Sequence, residues 1–350
     1  MKLRIIPLGG LSNVTKNMYA YEYWESNQIT DIILVDCGVG FLSHLENLGV
    51  DFVIPDVTYL KNKLPLIRAL FITHGHDDHI GAVPFIIPQL AFPQVYAPKL
   101  AALLIKAKLE DREMKSDKVE EIKYHTDYSA GAFKVRYIHM THSIPDTCHL
   151  FIQTPVGNFY HGSDFKIDLT PVFDEPPDFQ EIARASGMGI KLLLSDGLGS
   201  EREGYTLSEA IVGKTFDEEM RVSKGRFFMT TFASNISRIK QCVEAAVKFN
   251  RKLCFVGRSM KRNMEIAFQN RYIKLNKDWV VSDEDVSRLP DNKICFILTG
   301  SQGESRSGMD KVALGIHRFI KLKKTDRVLF SSDPIPGNDT TIQDLQERII

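Results

Sequence analysis

Cysteine and long apolar runs are scarce in this sequence, and each scarcity excludes something. Its 350 residues include five cysteines, an odd number with no Cys-x-x-Cys pair. That argues against a disulfide framework and for reduced thiols in a cytoplasm; Cys254 and Cys295, inside apolar strand-like runs, read as core. No apolar stretch approaches the roughly 20 residues of a membrane-spanning helix. The opening Met1-Lys2-Leu3-Arg4-Ile5-Ile6-Pro7-Leu8-Gly9-Gly10 has neither the apolar core nor the cleavage site of a signal peptide, and reads as a first strand and turn. Internal repeats and low-complexity tracts are missing too. Net charge is zero but unevenly spread: residues 1–205 carry 19 Lys and Arg against 26 Asp and Glu, a balance of −7, leaving 25 against 18, or +7, for residues 206–350. The acidic part suits a site that holds cations, and the basic part suits contacts to a polyanion. The remaining balance, 43% hydrophobic and 25% charged, is that of a soluble globular protein with core for roughly two domains.

One stretch stands apart. His74-Gly75-His76-Asp77-Asp78-His79 follows directly on the apolar run Ala69-Leu70-Phe71-Ile72-Thr73. Three imidazoles and two carboxylates at one strand end have little use in a core, and such sets make zinc or manganese sites. His74 and His76, two apart on an extended segment, point to one side and can chelate one ion. Asp78 and His79 come after the chain turns and can serve a second. His142 and Asp164, each just beyond a later strand, are the natural further donors, and a carboxylate such as Asp164 can bridge both ions. Two ions about 3.5–4 Å apart suit in-line displacement at phosphorus and lower the pKa of an attacking water. Asp36, at an earlier strand end, is cast as holding a ligand ring in place. Alone, His142 reads as a hinge residue, and Asp36 and Asp196 as turn formers or caps. His44, His125, His139, His149, His161 and His317 lack such context and read as structural.

The remaining chain supplies a scaffold of two kinds. Apolar runs at 3–8, 18–24, 31–35, 69–73, 133–140, 148–153, 157–161 and 191–194 read as strands, several releasing Asp or His at their C-terminal ends, as α/β proteins do when they assemble a site. Residues 80–90 contain Pro84 and Pro88, so a helix there is short or bent. A helix is expected over 99–109, and charge-dense 110–121 reads as a solvated loop or exposed helix. From about Thr206 strands alternate with helices: 226–232 before a helix from Ser234, 252–256 before one from Ser259, then 294–298 and 327–330. That rhythm implies βαβ units and a parallel sheet, with the polar stretch at 200–204 as linker.

These residues resemble a family. The His-x-His-x-Asp-His turn is similar to the signature of the metallo-β-lactamase fold, and in detail the chain resembles the ribonuclease J family of the β-CASP nuclease branch. The resemblance is carried by Pro7-Leu8-Gly9-Gly10, Lys16-Asn17-Met18, Val35-Asp36-Cys37-Gly38, residues 49–56 and 73–82, His142-Ser143-Ile144-Pro145-Asp146 and residues 162–168. It continues in Thr231-Phe232-Ala233-Ser234-Asn235, residues 299–304 and residues 331–338. It implies an α/β protein: a metallo-β-lactamase-like αββα sandwich over 1–205, followed by an inserted β-CASP-type parallel α/β domain over 206–350. It also implies a ribonuclease with 5′-to-3′ exonuclease and endonuclease activity that uses two divalent ions, Zn²⁺ or Mn²⁺. Its partner would be single-stranded RNA, 5′-monophosphorylated ends included, with no membrane, and a homodimer in longer members. Carried over, His74, His76 and His142 bind one ion, Asp78 and His79 the other, and Asp164 both; Asp78, Asp164 and Asp196, the last at the branch's acidic motif, are the catalytic carboxylates.

The chain departs from the family pattern at Asp77, where Glu is usual, at Asn13, where an acid is usual, and at Gly197-Leu198-Gly199 in place of Ser-Thr-Asn. The family also brings two late histidines and a dimerisation domain; His317 matches neither histidine, and both domains are expected to be incomplete at the C-terminal end. In the second half, strand ends deliver Ser234 and Asn235, Arg258 and Ser259, Ser301 and Gln302, and Ser331 and Ser332. Helix starts bearing Ser or Asn hold phosphate well, Arg258 adds a bidentate donor, and Arg238, Lys261 and Arg262 extend the track, so these are the expected RNA contacts. Two other readings stay open: a non-catalytic RNA-binding homologue, and a hydrolase of the same fold acting on DNA or another ester.

Overall fold

The computed structural model describes residues 1–11, 14–41, 50, 52–173, 175–335 and 337–350; Asn13, His44, Gly49, Asp51 and Pro336 lie outside the described residues. Two compact units result, one reaching Leu207 and the other running from Ser208 to Ile350.

In the first unit two sheets lie face to face. Strands β1 (Lys2–Gly9), β2 (Met18–Glu25) and β3 (Gln28–Val35) form an antiparallel meander. Parallel additions β4 (Ile67–Phe71), β5 (Gln94–Ala97) and β6 (Val119–Glu121) complete a sheet in sequence order. Between β4 and β5 come the short helices α1 (Asp77–Ile80) and α2 (Val83–Ile86), broken as the prolines demand, and α3 (Lys99–Glu110) links β5 to β6. The second sheet runs β7 (Asp127–Ala130), β8 (Phe133–His139), β9 (Cys148–Thr154) and β10 (Gly157–His161), all antiparallel. After helix α4 (Phe179–Gly187), β11 (Leu192–Leu194) adds parallel to β10.

Alternation along β8 explains the layering: Phe133, Val135 and Tyr137 are buried while Lys134 is exposed. These residues interlock with Tyr21, Ile33, Val35 and Phe71 of the first sheet and with Leu150 and Ile152 of the second. Each such side chain contributes about 1.5–3 kcal/mol on burial. Leu100, Leu104 and Ile105 of α3 are buried beside the first sheet's β5 and β6, and Ala185 of α4 packs on Ile138, Phe151 and Tyr160 of the second. The result is the αββα sandwich. The charge-dense 110–121 stretch is a correction: it ends in a sheet-edge strand, because Val119 pairs with Val95 amid the charges. Helix α4 was not among the expectations, although Asp178 and Glu181 carry its signal; the Asp178 carboxylate accepts the Glu181 N–H at 2.9 Å.

The second unit alternates regularly: α5 (Ala210–Val222), β12 (Phe227–Thr230), α6 (Ile236–Lys248), β13 (Lys252–Val256), α7 (Arg258–Gln269), β14 (Ile294–Leu298), α8 (Gly308–Ala313), β15 (Arg327–Phe330) and α9 (Asp339–Ile349). The strands make a fully parallel sheet in the order β13-β14-β12-β15. β12 and β14 are buried throughout, as continuous apolar runs covered on both faces should be, and Phe228 stacks on Phe296 with centroids 4.4 Å apart. Buried Arg251 ties the strand starts together, donating to the carbonyls of Ser223 (2.7 Å), Gly225 (2.8 Å) and Ile294 (3.2 Å). Arg251→Met keeps the stem but strands those carbonyls, and is expected to cost about 3 kcal/mol, read as an earlier urea midpoint for this unit. Unchanged unfolding would show that the three bonds carry no net stability. All five cysteines are buried and free, Cys254 and Cys295 in the sheet core. No described helix is long and apolar enough to cross a membrane.

Candidate metal centre

Four segments at strand C-terminal ends in the first unit build the site. The segment after β3 turns sharply at Asp36, whose φ of 59° puts a non-glycine residue in the left-handed region. That strain is held by the carboxylate, since Asp36 Oδ1 accepts the Thr73 N–H at 2.8 Å while Oδ2 lies 2.8 Å from His79 Nδ1. The loop after β4 then carries His74 and His76 into α1, where Asp78 and His79 follow. Backbone bonds stitch α1 to its neighbours: Cys37 N–H to His79 O (2.7 Å), Val39 N–H to Asp77 O (3.0 Å) and Asn17 N–H to Asp78 O (2.9 Å). His142 arrives from the loop after β8, and Asp164 from the loop after β10.

The side chains converge. Donor atoms of His74, His76, His142 and Asp164 lie within 4.8 Å of one another, and so do those of Asp78, His79 and Asp164. His76 Nδ1 is 3.2 Å from both His74 Nε2 and His142 Nε2. Asp164 Oδ2 is 4.0 Å from His74 Nε2, 3.9 Å from His142 Nε2 and 3.5 Å from His79 Nε2, and Asp78 is also 3.5 Å from His79 Nε2. Thus Asp164 belongs to both sets. The outward ring atoms are occupied: His74 Nδ1 by Thr73 Oγ1 (3.0 Å), His76 Nε2 by Ser143 Oγ (3.2 Å) and His79 Nδ1 by Asp36. Asn17 Nδ2 lies 3.2 Å from His79 Nε2.

Electrostatics fit a cation. Burial, helped by neighbouring imidazoles, holds His74 and His76 well below the ordinary histidine range, so both are neutral with a lone pair to give. Burial opposes charge on His79, but Asp164, Asp78 and Asp36 outweigh it and hold that ring well above the ordinary range. Burial pushes Asp78 up to about 7, with Asp164 adding to the rise. Asp164 goes the other way: burial would raise it, yet His79, His74 and His142 hold it well below the usual carboxylate range. Crowded neutral nitrogens and opposed carboxylates of this kind are the donor chemistry a divalent ion satisfies. Asp36→Asn, which withdraws the charge behind His79, is expected to weaken divalent-ion binding about 10–100-fold. Calorimetric titration with Mn²⁺ checks this, and unchanged affinity would remove Asp36 from the site's support.

Asp196 is the exception among the catalytic candidates. It follows β11 but joins neither donor set, and its Oδ1 accepts the Leu198 N–H at 2.7 Å in a local turn. Its half-buried carboxyl is raised by burial and, after that, by the charge on Asp164. Among the histidines set aside, His161 bonds Tyr21 and His149 bonds Tyr160, while His317 accepts the N–H groups of Phe319 and Ile320. Thr73, Ser143, Ser163 and Asn17 were missed as supports; each lies in a motif quoted above, but nothing local signals a bond to a histidine.

In the second unit the C-terminal sheet edge is tighter than its sequence suggests. Asn235, Ser301, Gln302 and Ser331 are buried. Asn235 caps α6 by accepting the Arg238 N–H. Gln302 bonds Ser332, Asp333 O, the Ile335 N–H and Asn338. Arg238 pairs with Glu209 and Ser331, and Lys261 with Asp283. Arg258 and Ser259 are exposed, and Ser234, Ser332 and Arg262 partly so.

Residues 24–183 match the family model of the metallo-beta-lactamase superfamily, and residues 224–349 the model "Ribonuclease J, beta-CASP domain". The chain is 39% identical over 346 residues to ribonuclease J 1 of Streptococcus pyogenes, covering 99% of this chain and 60% of that protein. Ribonuclease J of Mycoplasma pneumoniae is 35% identical, with 99% and 60% covered, and that of Helicobacter pylori strain 26695 is 38% identical, with 97% and 49% covered. The chain therefore spans three-fifths or less of the length of these relatives. A crystal structure of a protein of unknown function from Enterococcus faecalis V583 shares the fold with a TM-score of 0.58 at 15% identity, covering 85% of this chain and 77% of that one.

Proposed function

The chain belongs to the ribonuclease J family of metallo-β-lactamase-fold proteins, and on that footing we propose that it hydrolyses RNA phosphodiester bonds, both from the 5′ end and internally. The observation that carries this reading is the sharing of Asp164 between two adjoining donor sets. Two divalent ions, Zn²⁺ or Mn²⁺, held by His74, His76, His142 and Asp164 and by Asp78, His79 and Asp164, would supply Lewis acidity at the phosphate and a lowered pKa for the attacking water. The chain's own residues prepare the place: the neutral imidazoles of His74 and His76 present lone pairs, Asp36 orients His79, and Ser143 backs His76. Asp196, beside this cluster but tied into its own turn, serves as a further acid, its carboxyl raised by burial and by the charge on Asp164. Arg258, Ser259, Ser234 and Ser332 give a basic, hydroxyl-bearing edge for single-stranded RNA backbone, which positions without reading sequence. A cytoplasmic setting agrees with five unpaired thiols. A preference for 5′-monophosphate ends and a homodimer belong to the same proposal.

The test is incubation of the purified chain, and of a version extended to the relatives' full length, with Mn²⁺ or Zn²⁺ and matched RNA and DNA. Mononucleotides or cut fragments from RNA support the reading. Cleavage of DNA alone redirects it to another nuclease. RNA retention on filters without product from either version, with fewer than two ions per chain, makes the protein a binding homologue.

A further inference from the structure

The bonds behind the two donor sets admit one consistent placement of protons. A carboxylate only accepts. Asp36 Oδ2 lies 2.8 Å from His79 Nδ1 and 2.9 Å from Thr73 Oγ1, and Oδ1 is already taken by the Thr73 N–H. Thr73 Oγ1 also sits 3.0 Å from His74 Nδ1 and 2.9 Å from Ser163 Oγ. A hydroxyl has one proton to give and two lone pairs to offer. Its proton goes to Asp36, because two acceptors left facing each other with no proton between them, in a dry interior, repel. His74 Nδ1 must then carry a proton and donate it to Thr73, and Ser163 supplies the other donor. Thr73 and His74 are fully buried, so water does not substitute.

We propose that Thr73 is a positioning residue: by donating its O–H hydrogen bond to Asp36 it fixes His74 as the Nδ1–H tautomer, so one carboxylate orients the rings of both His74 and His79. The inference rests on the cation-binding reading above and deepens it. It makes the bracket Asp36–Thr73 common to both donor sets, whereas Ser143, whose Oγ lies 3.2 Å from His76 Nε2, backs one.

The test has two arms. In metal-free, ¹⁵N-histidine-labelled protein, two-bond ¹H–¹⁵N correlation, with His74 assigned by loss of its signals in His74→Gln, should show the Nδ1–H tautomer in the wild type and in Thr73→Ser, and lose it in Thr73→Val. In calorimetric titration with Mn²⁺ alone, Thr73→Val should weaken both ions together about tenfold or more, Thr73→Ser should restore them, and Ser143→Ala should weaken one. An Nε2–H tautomer for His74 in the wild type, a measurement that needs no variant, overturns the inference. So does Thr73→Val with wild-type tautomer and affinities. A wild type with the expected tautomer that binds no Mn²⁺ overturns the cation reading and the positioning role with it.

Discussion

Asp164→Ala should abolish RNA cleavage, by about 10⁴-fold or more, while leaving the chain folded. The reason is its double membership: its carboxylate stands within 4.0 Å of imidazole nitrogens from His74, His142 and His79. Removing any one histidine thins one donor set, but removing Asp164 thins both. The same charge helps hold His79 above the ordinary histidine range and adds to the rise of Asp78, so the substitution should also move Asp78 back toward the usual carboxylate range. Elemental analysis of the purified variant should find fewer ions per chain than in the wild type. Activity and metal content within a few-fold of the wild type would mean that the two sets do not act as one centre, and the nuclease reading would fall with them.

Gly38→Val should do comparable damage without touching a single donor. A Cβ on Gly38 would sit 1.5 Å from the Asp78 carbonyl oxygen, 2.0 Å from its carbon and 2.7 Å from the His79 nitrogen. These are backbone atoms, so no rotamer relieves the clash, and α1 must move away from the segment after β3. That movement breaks the bonds from Cys37 and Val39 to His79 and Asp77 and separates His79 from Asp36. The expected loss is on the order of 3–5 kcal/mol, a melting temperature lower by roughly 10 °C, together with loss of the ion held by Asp78 and His79. A variant that melts with the wild type and binds two ions would show that this close approach is not required.

Much of this centre could be read from the residues because the chemistry is local. His74, His76, Asp78 and His79 lie within six residues, and their type and spacing nearly specify their use. His142 and Asp164 were reachable because each follows an apolar strand, and strand ends in such proteins converge. Asp196 obeys the same pattern yet stays outside both donor sets, because its carboxylate closes on its own turn at Leu198. Gln302 and Ser331 show the opposite limit. Polar residues at strand ends look like ligand groups, but here Asp333, Ile335 and Asn338 close on Gln302, and Arg238 reaches Ser331. Whether a hydroxyl or amide faces solvent depends on residues far along the chain.

By itself the order of residues determined most of the strand runs, the alternation in the second half and the identity of the clustered donors, since these follow from period, composition and short spacing, whereas the αββα layering rested on the family resemblance. Only the folded arrangement decided that Asp196 stays outside both donor sets, which hydroxyls stand behind the imidazoles, and how closely Gly38 approaches Asp78. The physical reason is range. Periodicity and chelate spacing act over a few residues, whereas an imidazole's tautomer and a carboxylate's pKa are set by groups that come within 3–4 Å only when distant strand ends meet.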